Sequence, residues 1–158
     1  MQDLERFDKP VRIAFAPWRH HRAPQRFFSG GAGLVSTARD YARFVEMLRR
    51  GGELEGVRLL GPKTVELMTV SHSRDLPHAL GNVGYDVGLG VNVLMDPGAS
   101  QAAGSVGSYM KSGAFGTFFW VDPKSRLVGV LMTQRFPNGG LDWKGAFMAM
   151  TYQALVKP

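Results

Sequence analysis

Over residues 87–95, apolar side chains recur at every second position, and this period of two is the feature that most limits the possible fold. The apolar positions of the first such segment are Val87, Leu89, Val91, Val93 and Met95. An apolar residue at alternate positions predicts a strand with one buried face, here over about 86–95. Apolar runs also predict strands over about 106–121 and 126–134, separated by a turn at 122–125.

Helical signals precede and follow these strands. Thr37 with Asp40 three residues later resembles a capping box, and Gly51-Gly52 is a typical helix stop. The apolar face between them is spaced i, i+3, i+4 and i+7, at Tyr41, Phe44, Val45 and Leu48.

Two more helices are predicted. Pro62 stands where a proline favours the first turn of a short helix. The last helix is expected over about 142–156 and should bury Trp143, Phe147, Met150 and Leu155 or their neighbours. Helices, then antiparallel strands, then a covering helix predict an α+β fold with at least three strands packed against helices.

The length of 158 residues fits one domain with a real core. Residues 1–28 contain three prolines and no sustained period, and we interpret them as an irregular basic segment before a domain at 29–158. The sequence contains no run of 18 apolar residues, so no membrane span is predicted. The N-terminus lacks the pattern of a secretory signal. Cysteine is absent, which excludes disulfides and thiolate nucleophiles.

Positive charge is concentrated near the N-terminus. Residues 1–50 hold ten Lys and Arg against five Asp and Glu, out of a net charge of +6. Such a patch can attract anions, but no nucleic-acid-binding motif accompanies it, so no nucleic-acid partner is expected. The four histidines show no metal-ligand spacing, and neither a metal nor another cofactor is expected.

One literal motif invites a nucleophile assignment. Ser108 and Lys111 form Ser-x-x-Lys, in which a lysine activates a serine. The motif needs a helical turn to bring both side chains to one face. In a strand, residues three apart point to opposite faces, so we do not interpret Ser108 as a nucleophile.

The same lysine begins a second pattern, Lys111-Ser112-Gly113 followed by Ala114. It resembles the Lys-Thr/Ser-Gly motif of penicillin-recognising serine hydrolases: class C β-lactamases, D-Ala-D-Ala peptidases and family VIII carboxylesterases. Four longer blocks resemble the C-terminal portion of that family in the same order, over about 27–156. These blocks are SGGAGLVSTARDYARFVEML, GGELEGVRLLGPKTVELMT, GYDVGLGVNVLMDP and GAFGTFFWVDPKSRLVGVLMTQ.

The resemblance implies the C-terminal part of a β-lactamase/transpeptidase-like fold and a set of site residues. Lys111 would supply a cation to the site and help hold a substrate carboxylate. The Ser112 hydroxyl would hydrogen-bond substrate, and Gly113 would leave room for substrate along the strand. The backbone N–H of Ala114 would be one oxyanion-hole donor.

The chain also departs from the family. No helical Ser-x-x-Lys is found, and no tyrosine or serine has Asn two residues later. We therefore expect a C-terminal fragment that acts on an amide, lactam or ester only with its missing N-terminal part, which would also have carried any signal for a compartment. As the alternative, the chain is a non-catalytic binding or assembly module. An incomplete sheet would favour homo-oligomers, as would a strand that is apolar on both faces, at Phe115, Phe118, Phe119, Trp120 and Val121.

Overall fold

A computed structural model describes residues 34–74, 83–136 and 142–156; the predicted irregular segment 1–28 lies outside them. The helices in these ranges are α1 (Ala38–Arg49), α2 (Pro62–Met68), α3 (Pro97–Ser100) and α4 (Trp143–Gln153). The strands are β1 (Glu53–Leu54), β2 (Val57–Arg58), β3 (Tyr85–Val87), β4 (Asn92–Leu94), β5 (Tyr109–Ser112), β6 (Phe118–Asp122) and β7 (Leu127–Leu131).

The sheet confirms the predicted α+β class. Five strands pair in the order β3-β4-β5-β6-β7, and every neighbouring pair is antiparallel. A separate two-stranded hairpin, β1-β2, follows α1 and was not predicted. No helix within the described ranges is long and apolar enough to cross a membrane.

Helix α1 begins and ends as its sequence predicts. The Thr37 hydroxyl accepts a hydrogen bond from the backbone N–H of Asp40 at 3.1 Å, which satisfies a first-turn donor. At the other end, Gly51 has a φ of 71°, and Gly52 donates its N–H to the Met47 carbonyl at 2.9 Å. A positive φ favours glycine, so the Gly51-Gly52 pair ends the helix for a physical reason.

The strand predicted over 86–95 is instead the hairpin β3-β4. Val87 pairs with Asn92, so the four residues between them form the turn. The Gly88 N–H donates to the Val91 carbonyl at 2.8 Å, and Gly90 has a φ of 79°. The glycines thus reverse the chain where the alternating pattern suggested that it continues.

The strand predicted over 106–121 is also divided. It forms β5 and β6, whose last pair before the turn is Ser112 with Phe118. The turn is again built on glycine, since Gly116 has a φ of 84° and donates to the Gly113 carbonyl at 3.1 Å. The third predicted strand, 126–134, is present as the shorter β7.

Helix α4 lies where a helix was predicted but buries a different residue. Met148 is 6% exposed, whereas Met150 is 63% exposed and Leu155 is 37% exposed. Trp143 and Phe147 are partly buried and pack on the sheet as expected. The prediction that Met150 and Leu155 are buried was wrong, because α4 ends at Gln153 and turns Met148 toward the sheet.

Strand β6 separates two apolar clusters. Phe119 and Val121 pack in the cluster on the α1 face, together with Val45 and Leu48 of the helix. Trp120 and Phe118 pack on the α4 face, and every residue of β6 is buried. Both apolar faces of this strand are therefore covered, by α1 on one side and by α4 on the other.

The buried carboxylate of Asp122 joins the end of β6 to distant parts of the chain. It accepts hydrogen bonds from the N–H of Ser105 at 3.1 Å, from the N–H groups of Lys124 and Ser125 at 3.0 and 3.1 Å, and from the Ser125 hydroxyl at 3.1 Å. The Tyr152 hydroxyl on α4 donates to it at 3.0 Å. Burial alone would raise the pKa of Asp122, but these hydrogen bonds hold that pKa below its usual value.

Candidate active site

The four residues with predicted site roles lie at the end of β5 and in the turn that follows. Strand β5 pairs with β6 along all four of its residues, but with β4 only at Tyr109 and Met110. At Lys111 and Ser112, the edge on the β4 side therefore faces no other strand in the described ranges. An extended ligand could hydrogen-bond to such an edge.

The side chains of Lys111 and Ser112 are both exposed. Lys111 pairs with Phe119 and shares the α1 face, whereas Ser112 pairs with Phe118 on the opposite face. No hydrogen bond or ion pair joins the Lys111 ammonium to another residue of the described ranges. Its charge is thus available for an anion that lies beside the strand.

Gly113 is small for a reason within the protein itself. A Cβ at this position would lie 2.3 Å from the Thr117 hydroxyl oxygen. The Gly113 N–H also donates to the Thr117 carbonyl at 2.8 Å. A side chain at Gly113 would therefore require the Thr117 hydroxyl to move, a constraint that sequence reasoning did not identify.

The turn presents the backbone N–H of Ala114. Ala114 is exposed, and no residue in the described part of the chain accepts a hydrogen bond from this group. The next residues are held in place, because the Thr133 hydroxyl lies 3.1 Å from the Phe115 carbonyl and 2.9 Å from that of Gly116. Arg135 donates its N–H to the Phe115 carbonyl at 3.0 Å as well. A free donor on a fixed turn is the arrangement that an oxyanion hole requires.

Ser108 lies outside this arrangement. It directly precedes β5, is 4% exposed, and donates its hydroxyl to the Ser105 carbonyl. A buried hydroxyl that is already hydrogen-bonded to a carbonyl is poorly placed to attack a substrate. Because β5 is extended, the Ser108 to Lys111 spacing does not form the helical turn that a Ser-x-x-Lys site needs.

The four residues form an open surface. A cleft of about 260 Å³ lies between β5, β6 and the start of α4, and it is lined by Tyr85, Gln101, Met110, Phe118 and Lys144 among others. None of the four predicted site residues lines it. In the described ranges, no group of three or more His, Cys, Asp or Glu side chains could hold a metal ion. The four predicted site residues can bind an anion and donate hydrogen bonds.

Comparison with known families identifies the chain. A sequence profile of the family described as Beta-lactamase matches residues 4–147. The chain belongs to the beta-lactamase family. The match extends further toward the N-terminus than the four sequence blocks and includes the whole segment from α1 to β7.

Two proteins of Mycobacterium tuberculosis are similar to this beta-lactamase family member. They are Uncharacterized protein MT1414, of strain CDC 1551 / Oshkosh, and Protein Rv1367c, of strain ATCC 25618 / H37Rv. Each is 37% identical over 131 residues, which are 77% of this chain and 33% of the relative. The chain thus spans about a third of the length of these curated relatives.

A solved structure shows the same fold. EstCE1, described as a hydrolase with promiscuous acyltransferase activity, aligns with a TM-score of 0.59 at 30% identity. The alignment covers 72% of this chain and 29% of EstCE1. The comparison supports a fold of the serine-hydrolase type.

Proposed function

We propose that this chain is the C-terminal part of a β-lactamase, penicillin-binding-protein or esterase-like serine hydrolase and forms one wall of its active site. The observation that carries the proposal is the end of β5, where Lys111 and Ser112 lie on an edge that no strand among the described residues pairs with on the β4 side. The N–H of Ala114, for which the described part of the chain holds no acceptor, follows two residues later. These groups suit the recognition of an ester, amide or lactam that carries a negative charge.

Each residue has a role that its position allows. The Lys111 ammonium would attract a substrate carboxylate, and the Ser112 hydroxyl would hydrogen-bond to the substrate. The two side chains leave the strand on opposite faces, so a ligand that contacts both would lie along the strand edge. The Ala114 N–H would donate to the carbonyl oxygen as it gains negative charge, and a donor of this kind typically contributes about 3 kcal/mol to acyl transfer. Gly113 keeps the strand edge accessible between them.

The isolated chain should be catalytically silent. Acyl transfer in this class of enzyme needs a nucleophile and a base that act together, and loss of the nucleophile removes most of the rate enhancement. Ser108 is buried and hydrogen-bonded, and sequence reasoning found no Ser-x-x-Lys on a helix. The nucleophile would therefore come from a part of the enzyme that this sequence does not contain.

The test is an activity and labelling assay on purified chain that circular dichroism shows to be folded. The purified chain should hydrolyse neither nitrocefin nor p-nitrophenyl acetate faster than a Ser108→Ala variant does. A fluorescent penicillin should leave no covalent label on it. Stoichiometric labelling that the Ser108→Ala substitution abolishes would refute the proposal and make Ser108 a nucleophile.

A second candidate function is assembly into a homo-oligomer without catalysis. The observation in its favour is the outer edge of β7, which no strand of the described ranges covers. Unpaired backbone groups along such an edge favour association with another chain.

A further inference from the structure

The turn that carries the Ala114 N–H has a defined hydrogen-bond geometry. The Gly116 N–H donates to the Gly113 carbonyl at 3.1 Å, so residues 113–116 form a closed β-turn. The next hydrogen bond of the hairpin runs from the Gly113 N–H to the Thr117 carbonyl at 2.8 Å. Ala114 is the second residue of this turn, and its own N–H lies outside the hydrogen-bonded ring.

The direction of the Ala114 N–H follows from that of the Gly113 carbonyl. The two groups belong to one peptide unit, which is planar and almost always trans, so they point in opposite directions. The hydrogen bond from Gly116 holds the Gly113 carbonyl, and it thereby holds the donor on the other side of the same peptide. A shift of Gly116 would therefore turn the Ala114 N–H as well.

Thr133 in turn holds Gly116. Its hydroxyl lies 2.9 Å from the Gly116 carbonyl and 3.1 Å from the Phe115 carbonyl. A hydroxyl has one hydrogen to donate, and the shorter contact is the one to Gly116. A Cβ on Gly116 would lie 2.2 Å from the Thr133 hydroxyl oxygen, so the hydroxyl occupies the space beside this glycine. The segment that follows β7 thus supports the turn.

Two further contacts from the same segment do not depend on the Thr133 hydroxyl. The Arg135 N–H donates to the Phe115 carbonyl at 3.0 Å, and the ring centroids of Phe115 and Phe136 lie 5.7 Å apart. These contacts would keep the turn folded beside β7 if the hydroxyl were removed. The specific contribution of the Thr133 hydroxyl is therefore its contact with Gly116.

We propose that Thr133 is a positioning residue for the oxyanion-hole donor of Ala114. The inference rests on the proposed function, in which this N–H binds the carbonyl oxygen of an ester, amide or lactam, and it adds the group that orients the donor. Thr133 contacts no substrate; it acts through Gly116 and the Gly113 carbonyl. An oxyanion-hole donor is effective because it is oriented before charge develops, and a hydrogen bond weakens steeply when its donor is misaligned.

The test compares two variants of Thr133 in the ¹⁵N-labelled full chain. Thr133→Val keeps the shape of the side chain and removes the hydroxyl, whereas Thr133→Ser keeps the hydroxyl and removes a methyl group. Thr151→Val is the matched control, because the Thr151 hydroxyl also donates to a carbonyl, that of Phe147 at 2.7 Å, but within α4. Amide spectra and thermal melts show that each variant is folded.

The first measurement is the hydrogen exchange of the Gly116 amide, whose N–H closes the turn, and it needs no ligand. Loss of the hydrogen bond from Thr133 should make this exchange about 3-fold to 10-fold faster in Thr133→Val. Thr133→Ser and Thr151→Val should stay within about 2-fold of the wild type.

The second measurement is the shift of the Ala114 amide on addition of benzylpenicillin, divided by the shift of the Lys111 amide in the same titration. The Lys111 ammonium attracts the carboxylate without help from Thr133, so the Lys111 shift is an internal reference for binding. The ratio should fall about 2-fold or more in Thr133→Val, because a misaligned donor forms a weaker hydrogen bond. It should be retained in Thr133→Ser and Thr151→Val, a pattern that a general loss of stability would not produce.

The outcomes separate this inference from the proposed function on which it rests. Faster exchange at Gly116 and a lower shift ratio, both confined to Thr133→Val, support the positioning role. Wild-type shifts at 111–114 with an unchanged ratio in Thr133→Val overturn the inference and leave the proposed function standing. A ratio that falls equally in Thr133→Ser also overturns it, because the hydroxyl is then not the group that matters. A wild type without shifts at 111–114 overturns both.

Discussion

At the scale of single residues, Asp122 fixes the position of β6 relative to the segments around it. Its donors come from the loop before β5, from the turn before β7 and from α4. A buried carboxylate is stable only when hydrogen bonds replace its lost water, and Asp122 receives five of them. Removal of this charge should therefore loosen several elements at once.

We predict that Asp122→Asn destabilises the fold by about 3 kcal/mol, because an amide nitrogen would then face hydrogen-bond donors. Tyr152→Phe removes one donor and leaves the others in place, so its cost should be smaller, about 1–2 kcal/mol. Urea unfolding followed by circular dichroism measures both values. Equal costs for the two variants would show that Asp122 acts through Tyr152 alone.

The depressed pKa of Asp122 also predicts a dependence on pH. In the unfolded chain an aspartate titrates near about 3.9, and in the folded chain the pKa of Asp122 lies lower. The stabilisation by this group is therefore complete above the unfolded value and is lost as the pH falls through the folded value. The difference in unfolding free energy between the wild type and Asp122→Asn should shrink as the pH is lowered below about 4. A difference that stays constant down to pH 2 would contradict this account.

Sequence reasoning assigned 122–125 to a turn but did not find the network of Asp122. The Ser105 and Tyr152 donors are 17 and 30 residues away, so no local pattern connects them. The same holds for Thr133, whose hydroxyl contacts carbonyls 17 and 18 residues earlier. By contrast, the placement of Lys111 and Ser112 on a strand could be predicted. The apolar residues that indicate the strand, such as Phe118 and Phe119, lie within ten residues of them in the sequence.

At the scale of elements, α1 is the helix with the clearest start. We predict that Thr37→Ala costs about 1 kcal/mol, because the Asp40 N–H loses its acceptor. Ser36→Ala is the matched control, since the Ser36 hydroxyl makes only a long contact of 3.4 Å with the Thr37 carbonyl, and it should change the stability by less than about 0.5 kcal/mol. Thermal unfolding of the two variants measures the difference. Equal losses would mean that the cap does not stabilise α1 in the folded protein.

Helices were easier to predict than hairpins in this sequence for a physical reason. Thr37 and Pro62 are local signals, and each lies at the start of its helix in the structure. The turn between β3 and β4 has four residues, which is an even number. The alternation of apolar residues therefore continues unchanged from β3 through the turn into β4, as it would in one long strand. Only the glycines marked the reversal, and Gly90 with its φ of 79° is the residue that could have revealed it.

At the scale of the whole molecule, the chain is a sheet covered by a helix on each face, with a candidate site at one strand end. The family, the α+β class and the antiparallel order agree with the sequence-based predictions. The expected burial of Met150 and Leu155 does not agree, because burial in α4 depends on which side of that helix meets the sheet. The roles of Lys111, Ser112, Gly113 and Ala114 stay predictions.

The central claim is that the end of β5 forms a substrate-binding wall, and an NMR titration tests it most directly. Benzylpenicillin, which carries a carboxylate, is added to ¹⁵N-labelled chain, and amide shifts are followed. The account predicts shifts centred on residues 111–114, which Lys111→Ala abolishes and the exposed-lysine control Lys124→Ala retains. Shifts scattered over the surface, or a Lys111→Ala variant that responds like the wild type, would contradict it.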